Sequence, residues 1–214
     1  NLLYTQESLS RYQSGGYHPV NLGDTFEDDR YKIHHKLGWG GFSTVWLAKD
    51  RERLISRQSQ SMGLFEDHDR RFIGIARAAN ERISSNYVIQ LLDAFTHEGP
   101  KGVHHCLVTE LLGPSVDKVL SDYHESHDKI CSEIILRMST QLLKAVKFIH
   151  SAVPLYLCAN ISGRNIAFGC THLWRKTEEQ LFDVLGFPEV EPLTRVDGTP
   201  LGTGLPTQLI KAAD

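Results

Sequence analysis

The sequence predicts an α+β fold in which a small sheet lobe precedes a helical lobe. Short runs rich in β-branched and aromatic residues occupy the first half, among them Tyr31–Leu37, Ser43–Ala48 and Cys106–Leu111. In the second half Ile135, Met138, Leu142, Val146 and Ile149 recur at spacings of three and four, which marks a long amphipathic helix. The elements come in the order strands, helix, strands, helices, and this segregates a sheet from a group of helices.

Residues 1–30 are polar and irregular. Ser14-Gly15-Gly16-Tyr17-His18-Pro19 and Asn21-Leu22-Gly23-Asp24 are turn sequences, so this stretch is expected to lie on the domain as an extension. Tyr31–Leu37 and Ser43–Ala48 predict two strands joined by the glycine turn Gly38-Trp39-Gly40-Gly41. Leu54–Arg57 suits a short strand, and Asp67–Arg82 a helix with Phe72, Ile75 and Ala79 on one side. Tyr87–Leu92 and Cys106–Leu111 predict strands flanking a polar turn at Thr96–Gly102. After Gly113-Pro114 the chain turns helical: a short turn at Ser115–Leu120, then a long helix capped by Ser132 and stopping near Ser151. Asn165–Phe168 is a short apolar piece. A second helix runs from Thr177 to Gly186, and the Pro- and Gly-rich tail from Pro188 reads as loop.

The chain has 214 residues, 41% hydrophobic and 23% charged, with a net charge of -3. Such a composition is globular, because disorder requires fewer apolar groups and a larger charge imbalance. With a pI near 6.4 there is no excess of Lys and Arg to neutralise a phosphate backbone, which argues against direct nucleic-acid binding. No apolar run approaches the roughly 20 residues of a membrane span, and the N-terminal residues lack the pattern of a signal peptide. The first residue is Asn1 rather than Met, so a processed or partial product is expected. Cys106, Cys131, Cys158 and Cys170 are scattered without a C-x-x-C, as expected of reduced thiols in an intracellular protein. Neighbours in the pairs His34-His35 and His104-His105 point to opposite faces of a strand and make poor chelates. His124, His127 and Cys131 sit among solvated residues and lack a fourth ligand.

Gly38-x-Gly40-x-x-Ser43-x-Val45 is the sharpest local signal. Glycines between two strands let backbone N–H groups approach the phosphates of a nucleotide without side-chain obstruction. The motif is neither a Rossmann fingerprint, which opens a helix, nor a Walker A loop, which needs a following Gly-Lys-Ser or Gly-Lys-Thr. An ordinary glycine hairpin is the competing reading of these residues alone.

Leu37-Gly-Trp-Gly-Gly-Phe-Ser-Thr-Val-Trp-Leu-Ala-Lys-Asp50 resembles the glycine-rich loop and second strand of eukaryotic protein kinases, and is most similar to the SR-protein kinases and their fungal relatives. Tyr17-His18-Pro19-Val20 with Gly23-Asp24 resembles the segment before that family's kinase domain. Thr109–Ser115 resembles its hinge, and Ile161–Phe168, after Phe148–Ser151, resembles its catalytic loop. The resemblance implies residues 31–112 as a kinase N-lobe and hinge, and 113–214 as a partial C-lobe ending before the Asp-Phe-Gly motif. It further implies ATP and Mg²⁺ as cofactors, an Arg/Ser-rich protein substrate, and a cytoplasmic or nuclear location.

By that resemblance Leu37, Gly38, Trp39, Gly40, Gly41, Ser43 and Val45 cover the nucleotide. Thr109 takes the gatekeeper position, backbone groups of Glu110 and Leu112 meet the adenine edge, and Asn165 is a magnesium ligand. The sequence departs from the family at three points. No Val-Ala-x-Lys follows the second strand; Arg57 stands nearest the lysine position, with a solvated surface residue as the alternative, and Glu66 is the nearest partner carboxylate. Asn160 stands where the family has its catalytic Asp, and a neutral amide can orient a hydroxyl but cannot take its proton. No Asp-Phe-Gly occurs. The expectation is therefore a kinase-family chain with impaired transfer, against which stand a non-catalytic pseudokinase module and a partial gene product. A partly bare apolar face on the long helix is also expected, because the later helices of the lobe are absent from this sequence.

Overall fold

The computed structural model describes residues 2–41, 43–51, 59–65, 87–152, 161–173 and 176–213; for 59–65 and residue 171 it describes the backbone alone. The strand expected at Leu54–Arg57 and the helix expected at Asp67–Arg82 fall outside the described residues. The chain forms two compact units. One comprises Asn1–Ile73, Leu91–Leu111 and His172–Asp214, and the other Gly74–Gln90 and Leu112–Thr171.

The first unit is built on a six-stranded antiparallel sheet. Its strands are β1 (Thr25–Phe26), β2 (Tyr31–Trp39), β3 (Ser43–Asp50), β4 (Ser59–Phe65), β5 (Leu91–Gly99) and β6 (Gly102–Glu110). They lie in the order β1-β2-β3-β4-β6-β5. Tyr31, Ile33, Trp46, Ala48, Cys106 and Val108 converge on one face as the core, each at most 2% exposed. Fully burying side chains of this size contributes roughly 1.5–3 kcal/mol each.

Residues expected to lie on the domain as an extension enter this core directly: Val20 and Phe26 are 1% and 3% exposed within the same cluster. An ionic network ties the turn before β2 to the sheet. The Arg30 guanidinium forks onto Asp50 at 3.2 and 3.1 Å and reaches Asp93 at 2.8 Å, and the Tyr31 hydroxyl donates to Asp93 at 2.7 Å. A planar fork with two parallel donors is what arginine supplies and lysine does not.

Two strands differ from expectation. The apolar run at Tyr87–Leu92 begins too early, because the strand is Leu91–Gly99 and turns into β6 at Gly99–Gly102. Polar Thr96, His97 and Glu98 are accommodated because β5 is an edge strand with one ladder to satisfy. The central strand β4, rich in Ser and Gln, is made by backbone pairing to β3 on one side and β6 on the other.

Residues from His172 onward belong to the sheet's unit. Helix α3 of this unit is Glu178–Leu185; counted along the whole chain it follows α1 (Val116–Glu125) and α2 (Ser132–Ala152) of the second unit. Thr177 caps α3 through a capping box with Gln180, and Gly186 ends it at φ 79°. The tail expected as loop contains an antiparallel ribbon. Strand β9 (Val190–Pro192) pairs with β10 (Gln208–Ile210), and Ile210 is buried in the core.

In the second unit β7 (Leu112–Ser115) pairs antiparallel with β8 (Ala167–Gly169). A Cβ on Gly113 would lie 2.5 Å from Cys170 Sγ and 3.3 Å from the Phe168 carbonyl, so a side chain there would displace the thiol and crowd the crossing of these strands. Ser115 caps α1, accepting from the Lys118 N–H at 3.2 Å. That helix runs past the expected Leu120 to Glu125. Helix α2 begins at Ser132 itself, with the Cys131 carbonyl accepting from the Ile135 N–H at 3.2 Å. The expected apolar stripe is only partly bare: Ile135 is 50% exposed, whereas Met138, Leu142, Val146 and Ile149 are half-buried, and beside the stripe Leu136 and Leu143 are 69% and 70% exposed.

Candidate functional site

The β2–β3 hairpin carries the glycine motif. Its register pairs Lys36 with Trp46, Gly38 with Val45 and Trp39 with Thr44, with irregularities between Ile33 and His35 and between Lys36 and Gly38. The Gly40 N–H closes the tip onto the Ser43 carbonyl at 2.8 Å. A Cβ added at Gly38, Gly40 or Gly41 meets nothing within 4 Å among the described residues. None of the three has positive φ. Neither backbone conformation nor packing among the described residues explains glycine here, which fits a close approach by a ligand.

The ladder also sorts the predicted residues by face, because cross-strand partners point to the same side. Ile33 with Ala48 and Lys36 with Trp46 face the core, as does Val108. Val45 pairs through Gly63 with Leu107, and Leu47 pairs through Ser61 with Thr109. Val45, Leu47, Leu107 and Thr109 therefore share the opposite face. Thr109 is half-buried, and its hydroxyl donates to the Glu110 carbonyl at 3.2 Å.

Leu112 opens β7 in the second unit, opposite Gly169. Asn165 ends a single 3-10 turn, Gly163–Asn165, with its own N–H donating to the Ser162 carbonyl at 2.9 Å. Arg57, Glu66 and Asn160 lie outside the described residues.

Helix α3 packs on the face shared by Val45 and Thr109, at the open end of the hairpin. The His34 Nδ1 is 2.6 Å from Glu178 Oε1, and the His35 and Phe182 rings meet at 6.1 Å. Burial pushes the His35 imidazole below its ordinary pKa. A cavity of 410 Å³ lies here, floored by Leu47 and Leu181 and rimmed by Lys49 and Lys176.

Sequence reasoning missed a buried ion pair on the core side. Lys36 is 3% exposed, and its ammonium donates to Glu7 and, at 2.9 Å, to Gln6 Oε1. The ammonium also lies 5.3 and 5.5 Å from the ring centres of Trp39 and Trp46. Burial lowers the Lys36 pKa, and the attraction of Glu7 opposes the shift. At the tip, the Tyr17 hydroxyl donates to the Gly40 carbonyl and Arg11 Nη1 to the Gly41 carbonyl at 3.3 Å. No periodicity marks contacts between segments this far apart.

Among the described residues no group of three or more His, Cys, Asp or Glu side chains is arranged to hold a metal ion. His124, His127 and Cys131 are exposed. No helix among the described residues is long and apolar enough to cross a membrane.

The chain is 36% identical over 152 residues to protein kinase dsk1 of Schizosaccharomyces pombe, and 35% identical over 155 residues to serine/threonine-protein kinase SKY1 of Saccharomyces cerevisiae. It is 34% identical over 154 residues to human SRSF protein kinase 3. Each match covers 68% of this chain. The chain is homologous to the SR-protein kinases. Among these relatives the matched stretch covers 28%, 21% and 26% of the length, so the chain spans about a quarter of each. No family model matches it. For an SR-protein kinase homologue, a β-rich N-terminal part accompanied by helices is in broad terms the architecture of a kinase.

Proposed function

We propose that this chain is an ATP-binding member of the SR-protein-kinase group of serine/threonine kinases, with phosphoryl transfer limited by Asn160. The observation that supports nucleotide binding is the hairpin itself, where glycine at positions 38, 40 and 41 is unexplained by packing among the described residues. In this reading Leu37, Gly38 and Val45 cover the adenine and phosphates, with Trp39, Gly40, Gly41 and Ser43 completing the loop. Thr109 is the gatekeeper, and the backbone of Glu110 and Leu112 meets the adenine edge. Val45 and Thr109 share one face of the sheet, as this assignment needs, and α3 packs on the same face beside Leu47.

Mg²⁺ would neutralise charge on the phosphates. Asn165 offers an amide oxygen suited to that hard cation, and Arg57 a cationic side chain suited to the phosphates. Asn160 holds a substrate hydroxyl by hydrogen bond without removing its proton. The protein substrate is Arg/Ser-rich, by analogy with a relative named SRSF protein kinase 3, and the location is cytoplasmic or nuclear.

The neutral amide at 160 favours a second reading, in which the chain binds ATP and partners without transferring phosphate. Transfer of labelled phosphate to an Arg/Ser-repeat peptide distinguishes them, with the unmodified chain compared with Asn160→Asp. The first reading expects measurable but slow transfer, rising about a hundredfold or more when the carboxylate is restored. No transfer by either protein supports the second. Equal, rapid transfer by both contradicts the role given to Asn160.

A further inference from the structure

The segment Gln6–Tyr17 grips the glycine hairpin at two heights. At its base the Lys36 ammonium is held by Gln6 and Glu7. At its tip Tyr17 and Arg11 donate to the carbonyls of Gly40 and Gly41. The segment is itself folded to hold these groups apart. The Tyr17 N–H donates to the Arg11 carbonyl at 2.8 Å, and the Gly16 N–H to the Gln13 carbonyl at 2.9 Å. The Tyr12 hydroxyl is bonded to Glu7, and the Tyr12 ring meets Tyr17 edge-on at 5.8 Å. A Cβ at Gly16 would lie 2.0 Å from the Arg11 carbonyl oxygen, so only glycine closes this turn.

We infer that residues Gln6–Tyr17 form a built-in clamp that positions the glycine-rich loop, with Tyr17 and Arg11 as positioning residues for nucleotide phosphates. The inference rests on the reading that the hairpin binds ATP. Its physical basis is the trans peptide, in which C=O and N–H point in opposite directions. Tying the Gly40 carbonyl to Tyr17 turns the Gly41 N–H of the same peptide away from the clamp, where an anion can meet it. A glycine-rich tip also loses more conformational freedom on ordering than any other sequence. A tip already ordered by the clamp binds its ligand more tightly than a free one.

Hydrogen exchange at the amides of 38–45, measured on the whole chain, tests the clamp without nucleotide. Tyr17→Phe keeps the ring and removes only the donor. Its loop amides should exchange roughly threefold to tenfold faster, while those of β6 stay unchanged. Arg11→Ala should act in the same direction, and Arg11→Lys, which keeps a donor, should lie closer to the unmodified chain. Unchanged loop exchange overturns the clamp, as does an equal rise in β6, which would mean general loosening.

Titration with a fluorescent ATP analogue supplies the second readout, with a matching increase in Kd expected for Tyr17→Phe. If the unmodified chain binds no analogue, the ATP reading and the phosphate-positioning role fall together. Faster loop exchange in Tyr17→Phe would still establish the clamp as a restraint on the loop.

Discussion

The ammonium of Lys36 on β2 is buried against the carboxylate of Glu7, 29 residues earlier in the chain. Both groups leave water to meet: their side chains are 3% and 6% exposed. Desolvating two ions is costly, and a buried pair returns that cost only when its hydrogen bonds are complete. Gln6 adds a second acceptor to the lysine, and the Tyr12 hydroxyl a second donor to the glutamate.

Removing one partner should therefore cost more than removing both. Glu7→Ala leaves a buried ammonium whose remaining acceptor among the described residues is Gln6, and should destabilise the chain by about 3–5 kcal/mol. Glu7→Leu combined with Lys36→Met should cost markedly less. Urea unfolding of the single and double variants checks this. Additive losses would show that the pair does not act as a unit.

His18 sits edge-on to His97 and His104, with ring centres 4.6 and 5.0 Å apart, and beside Phe26. Burial, followed by repulsion from the two neighbouring imidazoles, pushes its pKa down to about 3. Asp24 is the carboxylate facing this group; it opposes the downward shift of His97. The unfolded chain takes up the His18 proton near pH 6.5 and the folded chain only near 3, so the unfolded state binds more protons between these values. Stability from this site is complete above pH 6.5 and is lost as pH falls. The loss by pH 5 should be about 2 kcal/mol. His18→Phe should flatten the decline between pH 6.5 and 5. Parallel pH profiles for the two proteins would contradict this.

Helix α2 presents Leu136 and Leu143 at 69% and 70% exposure. Leu136→Glu with Leu143→Lys keeps good helix formers on that face. The pair should change stability by no more than about 0.5 kcal/mol per residue and should reduce binding of a dye that reports exposed apolar surface. A loss above about 1.5 kcal/mol per residue would mean these side chains are covered in solution.

What was legible in the sequence was local. Periodicity located α2, the Thr177 cap and Gly186 bracketed α3, and β-branched runs around Gly38–Gly41 located the hairpin. What was illegible depends on partners distant in sequence. Ser59–Phe65 is a strand because β3 and β6 pair with it, and apolar Val88 and Ile89 fall outside β5 because its ladder with β6 starts at Leu91. The candidate site divides the same way. Its glycines and Thr109 stand out in the sequence, whereas the contacts of Glu7, Arg11 and Tyr17 with the hairpin do not. Those residues precede it in a segment with no strand or helix pattern.

The central claim is that the glycine hairpin binds ATP, and calorimetric titration of ATP into Gly38→Ala and the unmodified chain tests it most directly. A Cβ at Gly38 meets nothing within the described protein. The variant should therefore unfold at the same or slightly higher urea concentration. If phosphates approach this backbone, the same Cβ should weaken ATP binding by about tenfold or more. Retained stability with weakened binding is the predicted result; no binding by the unmodified chain, or equal affinity in both proteins, would contradict it.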